Sequence, residues 1–238
     1  MVRFVYVCTI SLPFIIYYLL KTKYVERRGS YNEEERYRIA RHMIALMKWN
    51  GMIRTVVYGT ENLPADGGYV MYANHQGKYD SLGIISVHQK PCTILIDEKR
   101  SQLILVNSFI SLLKGSRLDK TDMRSQVTTI NQVASEVSSG RRYIVFPEGG
   151  YENNGNHIQD FLPGAFKCAI RSKSPIVPVV LVDSYKVFGR NVLGFITTQV
   201  HFLPPLMYED YAKLSSREIS DRVHDLIDQR LHELCDAA

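Results

Sequence analysis

Residues 68–82 read GYVMYANHQGKYDSL, and the fold turns on how this stretch divides. The first six residues are a strand-like run that leads straight into Asn74 and His75. Gln76 to Tyr79 follow as a loop of turn formers. Asp80 then opens a helical pattern, where a negative charge suits the positive end of the helix dipole. A loop of this length can fold the Asp80 carboxylate back onto one imidazole nitrogen of His75 and leave the other pointing outward. A carboxylate so placed fixes the tautomer and stabilises the imidazolium that forms when the histidine takes a proton. None of the other six histidines is followed by an aspartate five residues on. The chain also has no G-x-S-x-G elbow, so a base at His75 acts on a hydroxyl or water brought by a substrate rather than on an enzyme serine.

Beyond this stretch, short β-rich runs alternate with helical or turn-rich ones from Arg54 onward. Strands are expected near 54–58, 68–73, 93–97, 143–147, 176–182 and 196–203. Helices are expected near 80–89, 102–113, 122–138 and 164–173, and SSREISDRVHDLIDQRLHELC closes the chain as a helix. The fold class is α/β, a central mixed sheet flanked by helices and preceded by an N-terminal membrane-binding helical region. The expected division is residues 1–53 for that region and 54–238 for the catalytic domain. Chemistry in such sheets gathers in the loops that follow the strands.

The 238 residues suffice for a substantial core, and 45 % apolar with 22 % charged residues excludes disordered and fibrous classes. Cysteines 8, 92, 168 and 235 form no close pair and no metal-spaced cluster, so neither a disulfide framework nor a zinc site is expected, and a reducing compartment fits. The net charge of +5 is unevenly placed. Residues 1–54 hold ten Lys/Arg against four Asp/Glu, whereas the remainder is close to neutral. The excess lies beside the most apolar segment, FVYVCTISLPFIIYYLL at 4–20, which is followed by Lys21, Lys23, Arg27 and Arg28.

Seventeen residues is the lower edge of a spanning helix, Pro13 is expected to kink it, and Tyr6, Tyr17 and Tyr18 suit an interface. A cleaved signal peptide, a buried core helix and membrane attachment all compete for this segment. Attachment, spanning or interfacial, is favoured because adjacent cations are drawn to anionic headgroups. The next helix has Asn32 as its N-cap, three glutamates in its first turn, and Ile39, Met43, Ile44 and Met47 in helical period. Arg36, Arg38, Arg41 and Lys48 are placed on its polar face, which reads as a membrane-surface helix or an ordinary amphipathic one.

Four blocks in order carry a resemblance. NHQGKYD at 74–80 looks like the N-H-x4-D motif of the PlsC-type glycerophospholipid acyltransferases, and YGTENLP at 58–64 resembles that family's lead-in. IVFPEGG at 144–150 is similar to its F-P-E-G block, and IVPVVLV at 176–182 to its proline-containing strand. The resemblance covers roughly residues 55–185. It implies that His75 is the general base and Asp80 its orienter, and that Glu148 and Gly149, with Asn74, line the acceptor site. The implied reaction moves a fatty acyl group from acyl-CoA or acyl carrier protein to the free hydroxyl of 1-acyl-sn-glycerol-3-phosphate, giving phosphatidic acid. No metal or organic cofactor is implied. The implied partners are a lipid bilayer, the lysophospholipid and the acyl carrier, with no nucleic acid, and the implied location is a bacterial cell membrane with the catalytic domain facing the cytoplasm.

The chain departs from the family pattern twice. Where the second block carries a phosphate-binding arginine five residues after a glycine, GSRLDK places Lys120, with Arg117 three residues earlier. Where the third block continues Thr/Ser-Arg, this chain has Gly150-Tyr151, so a cation is missing and Lys78 is the candidate replacement. Other acceptors (glycerol-3-phosphate, another lysophospholipid), a thioesterase using the same base on water, and a silent lipid-binding protein are the competing readings.

Overall fold

The computed structural model describes residues 2–152, 154–189 and 194–236. Seven strands form one sheet: β1 (Ile53–Tyr58), β2 (Tyr69–Ala73), β3 (Thr93–Asp97), β4 (Ser116–Leu118), β5 (Arg142–Val145), β6 (Ile176–Val182) and β7 (Ile196–Phe202). Their order is β1-β7-β6-β2-β5-β3-β4. All neighbours are parallel except β6 and β7, so the sheet is mixed. The six expected strands are present; β4, three residues at the sheet's edge, was not expected.

Helices α1 (Val2–Ile10), α2 (Leu12–Arg28) and α3 (Glu33–Asn50) precede the sheet. Helices α4 (Asp80–Val87), α5 (Glu98–Ser101), α6 (Ile104–Leu112), α7 (Met123–Ser138), α8 (Lys167–Ser172), α9 (Lys186–Gly189), α10 (Tyr208–Tyr211) and α11 (Ser216–Asp236) follow. Strand side chains alternate between the two faces. Tyr69, Met71 and Ala73 of β2, with Val177, Val179 and Leu181 of β6, pack against residues of α2, α3, α4 and α6. Val70, Tyr72, Val180 and Val182 face the opposite way, toward α7, α8 and α11. Both faces are thus buried, which is why these strands read as continuous apolar runs.

One edge of the sheet matters for function. The carboxyl ends of β6, β2, β5, β3 and β4 all open there. Because β7 is antiparallel to β6, the amino ends of β7 and β1 come to the same edge.

The apolar run expected as one helix over 4–20 is two helices, bent by 67° between α1 and α2. Pro13 occupies the first turn of α2, where its missing N–H has no intrahelical partner to lose and its fixed φ favours a helix start. Among the described residues no single helix is long and apolar enough to cross a membrane, and only the bent pair passes by length and composition. Tyr18 and Val25 face the core shared with α3 and α6, while Leu12, Ile16 and Leu20 are exposed. Arg3 anchors α1 by donating to the Gly194 carbonyl at 2.7 Å and to that of Gly51.

In α3 the expected cap is present: the Asn32 side chain accepts from the Glu35 N–H and the Glu35 carboxylate accepts from the Asn32 N–H, each at 2.9 Å. Arg36 departs from expectation. It is buried rather than on the polar face, with Nε donating to the Tyr31 carbonyl at 3.1 Å.

Candidate active site

β2 lies between β6 and β5, so the residues after Ala73 emerge in the middle of the functional edge. Asn74 comes first. Its amide donates to the Leu181 carbonyl at 3.0 Å and accepts the Leu181 N–H at 2.8 Å. Both ends of this buried side chain are occupied, so Asn74 joins the ends of β2 and β6 and does not reach the cavity, unlike the expected acceptor-binding role.

His75 is the first side chain free to turn outward. Its ring stacks on Phe146 at 4.2 Å and 20°, and forms a T-shaped pair with Tyr151 at 4.6 Å and 72°. Nδ1 lies 2.7 Å from Oδ2 of Asp80, the first residue of α4. The same oxygen accepts the backbone N–H groups of Gln76 at 2.5 Å and Gly77 at 2.9 Å, which is how the short loop returns the carboxylate. Oδ1 accepts the hydroxyl of Ser184, which follows β6. Asp80 is completely buried and surrounded by donors. Nδ1 therefore carries a hydrogen and Nε2 presents a lone pair to the cavity, the arrangement a general base needs.

Glu148 follows the turn after β5, but its carboxylate is spent on the protein. Oε1 accepts the backbone N–H of His75 at 2.8 Å, and Oε2 accepts from the Gln159 amide at 2.9 Å. It does not line the cavity, so in this structure it holds His75 rather than meeting a substrate hydroxyl. Burial, with the Asp80 charge adding to it, pushes its carboxyl up to about 8 against the pull of these hydrogen bonds. Gly149 has φ +72°, and a Cβ there would sit 2.7 Å from Leu162 Cδ1, so glycine alone fits this turn into the cavity wall without a shift.

The expected cations separate. Lys120 lines the cavity, 3.2 Å from Asp97, and donates to the Gly149 carbonyl. Arg117 turns away, donating to Asn107 at 2.8 Å and Ser111 at 3.0 Å on α6, outside the cavity wall. Lys78 is exposed at the wall, its Nζ 5.0 Å from the centre of the Phe4 ring. The structure adds Phe146, Gln159, Ser184 and Arg100 to the site, and gives Tyr151, marked in the sequence only as the place of a missing cation, a contact with His75. Arg100 lies over the face of Tyr151, Cζ to ring centre 4.9 Å.

His75 opens into a cavity of about 1460 Å³, larger than the usual small-molecule site. Its wall is mainly apolar, with Phe14, Tyr18, Met43, Met47, Val106 and Phe109 among the residues from α2, α3 and α6. The cations Lys78, Arg100, Lys120, Lys167 and Arg171 also border it. A base, a long apolar chamber and several cations can together receive an amphiphile that carries an acyl chain and an anionic head. Among the described residues no three His, Cys, Asp or Glu groups converge to hold a metal ion.

A family model described as Acyltransferase matches residues 54–182. The chain is 30 % identical over 177 residues to a Salmonella typhimurium protein named 1-acyl-sn-glycerol-3-phosphate acyltransferase, covering 72 % of this chain and 71 % of that protein. A Caenorhabditis elegans relative is 31 % identical over 137 residues, 57 % of this chain; the chain spans about half of that relative's length, 48 %. The crystal structure of the 1-acyl-sn-glycerophosphate acyltransferase PlsC from Thermotoga maritima has the same fold, with a TM-score of 0.79 at 19 % identity, covering 98 % of this chain and 94 % of that one.

Proposed function

The chain belongs to the PlsC-type acyltransferase family, and we propose that it transfers a fatty acyl group from an acyl thioester to the free hydroxyl of 1-acyl-sn-glycerol-3-phosphate, giving phosphatidic acid. The observation that carries this reading is the hydrogen-bonded His75–Asp80 pair at the wall of a large apolar cavity bordered by cations. Nε2 of His75 takes the proton of the acceptor hydroxyl as its oxygen attacks the thioester carbonyl. The tetrahedral intermediate collapses, the C–S bond breaks, and the imidazolium returns its proton to the departing sulfur. Asp80 stays an anion throughout and stabilises the imidazolium. Each step draws on the protein's own groups and needs no cofactor. The donor is acyl-CoA or acyl carrier protein, both of which present the same thioester.

The reading also places the protein on a bilayer, where acceptor and product reside. The exposed apolar stripe of α2, followed by Lys21, Lys23, Arg27 and Arg28, supports an interfacial attachment with cations at the headgroups. The exposed Leu103, Ile104 and Leu105, two of which open α6, add apolar surface at the cavity wall. A cytoplasmic face fits a chain whose four cysteines are free thiols.

The test is thiol release from a long-chain acyl thioester, with and without lysophosphatidic acid, beside His75→Ala. Release that needs the acceptor and vanishes in the variant is expected. Release without acceptor would reassign the protein as a hydrolase.

A further inference from the structure

We propose a second ligand site, for a small phosphorylated compound, at the edge of the sheet opposite His75. It does not depend on the acyltransferase reading. Cys92, Lys114 and Arg141 precede β3, β4 and β5, so they lie at the amino ends of these parallel strands, whereas His75 follows the carboxyl end of β2. There they meet the first turns of α3 around a cavity of about 330 Å³, which shares no wall residue with the His75 cavity. That volume lies at the small end of ligand sites.

Arg36 carries the inference. It lines this cavity although only 6 % of it is exposed. Nε donates to the Tyr31 carbonyl at 3.1 Å, but among the described residues no carboxylate pairs with the guanidinium and no acceptor takes its Nη hydrogens. A guanidinium cannot shed its charge, so burying it without a counter-ion is costly, and an anion entering the cavity relieves that cost. Lys114 is exposed at the rim, and its ammonium likewise has no partner among the described residues. Arg141, the third cation of the wall, is already spent. Nε binds Glu33 at 3.1 Å, Nη1 binds Glu136, and Nη2 donates to the Leu113 carbonyl at 3.0 Å. Glu33 is the one carboxylate on the wall among the described residues, and this pairing offsets it; Glu34 and Glu35 do not line the cavity. Two uncompensated positive charges therefore face one small space. A phosphate monoester carries nearly two negative charges and three terminal oxygens, which suit the Arg36 fork and the Lys114 point charge together. Leu112 and Leu113 offer apolar surface to the rest of the compound.

The experiment is thermal unfolding of the full chain at constant ionic strength, as inorganic phosphate replaces chloride up to ~50 mM, with each protein read against its own chloride baseline. Wild type is expected to gain ~3–6 °C. Lys120→Gln, which removes a cation from the His75 cavity, should gain as much. Arg36→Met should lose the gain and Lys114→Gln at least half of it. No gain in wild type overturns the proposal. An equal gain in all four proteins overturns it too, as the general effect of an adventitious ion only. A gain kept by Arg36→Met and lost by Lys120→Gln places the phosphate in the His75 cavity and also overturns it. Should Arg36→Met fail to fold, Lys114→Gln decides, and an undiminished gain there overturns the site. The same gain from acetate would overturn the assignment to phosphate.

Discussion

The Asp80 carboxylate holds Nδ1 of His75 at 2.7 Å through the oxygen that also accepts the N–H groups of Gln76 and Gly77. The loop that returns the aspartate is therefore closed by the aspartate itself. Removing the base and removing the charge should have different consequences. His75→Ala is expected to lower kcat by at least ~100-fold, with the thermal midpoint shifted by only a few degrees, since the imidazole is at the cavity wall and the loop keeps its own bonds. Asp80→Asn can keep an oxygen facing the same three donors, so the geometry survives while the charge is lost. Its kcat should fall by ~10–1000-fold, because the imidazolium formed in the reaction is no longer stabilised. An unchanged kcat in that variant would deny Asp80 its electrostatic role.

Ser184 donates to the other Asp80 oxygen and to the Gln76 side chain, at 3.1 Å in the latter case. It does not line the cavity, and it acts through Asp80. Ser184→Ala is expected to lower kcat by ~3–30-fold at unchanged KM, with Ser184→Thr restoring most of the loss because it keeps the hydroxyl. Equal damage in both variants would mark the site as one of packing alone.

Much of this was legible in the sequence. The strands β2, β5 and β6 announce themselves as apolar runs because both their faces are buried, and the His75–Asp80 spacing is local. β4 was not legible, since three residues at a sheet edge carry no period. The break between α1 and α2 was signalled by Pro13, but its position was not, because proline is accepted in a first turn and the chain bends just before it. Glu148 and Asn74 were read as substrate contacts from their place beside the motif. Their donors and acceptors prove to be spent on His75, Gln159 and Leu181, partners that only the sheet order brings near. Arg117 and Arg100 are the sharpest case. The arginine in the motif turns onto α6, and the one seventeen residues earlier, on α5, reaches Tyr151.

The raised carboxyl of Glu148 makes a pH prediction whose sign can be worked out. In the unfolded chain a glutamate loses its proton near pH 4.3, whereas in the fold Glu148 holds it to about 8. Between these values the folded state binds more protons than the unfolded state, so this group lowers stability as pH rises from about 4 to about 8. Glu148→Gln removes the titration, and the Gln159 amide can flip to accept from it. Between pH 5 and pH 9 the thermal midpoint of wild type should therefore fall by several degrees relative to Glu148→Gln. Parallel curves for the two proteins would refute the burial of a protonated carboxyl.

Leu12, Ile16 and Leu20 lie four residues apart on α2 and form one exposed stripe away from the core that holds Tyr18 and Val25. Among the described residues they are left exposed by the fold, and they do not line the cavity. If the stripe enters the lipid interface, replacing all three by serine removes several kcal/mol of apolar transfer at about 1.5–3 kcal/mol for each fully buried side chain. Even with partial insertion, co-sedimentation with vesicles containing anionic lipid should weaken by at least ~10-fold, while the thermal midpoint stays near wild type. Raising the salt should weaken the binding of wild type as well, because Lys21, Lys23, Arg27 and Arg28 act through screened charges. Turnover of a short-chain acceptor free in solution should survive the triple variant, since the His75 pair is untouched and only delivery from the bilayer is lost. Undiminished sedimentation would move the attachment elsewhere, to the exposed Leu103, Ile104 and Leu105 first.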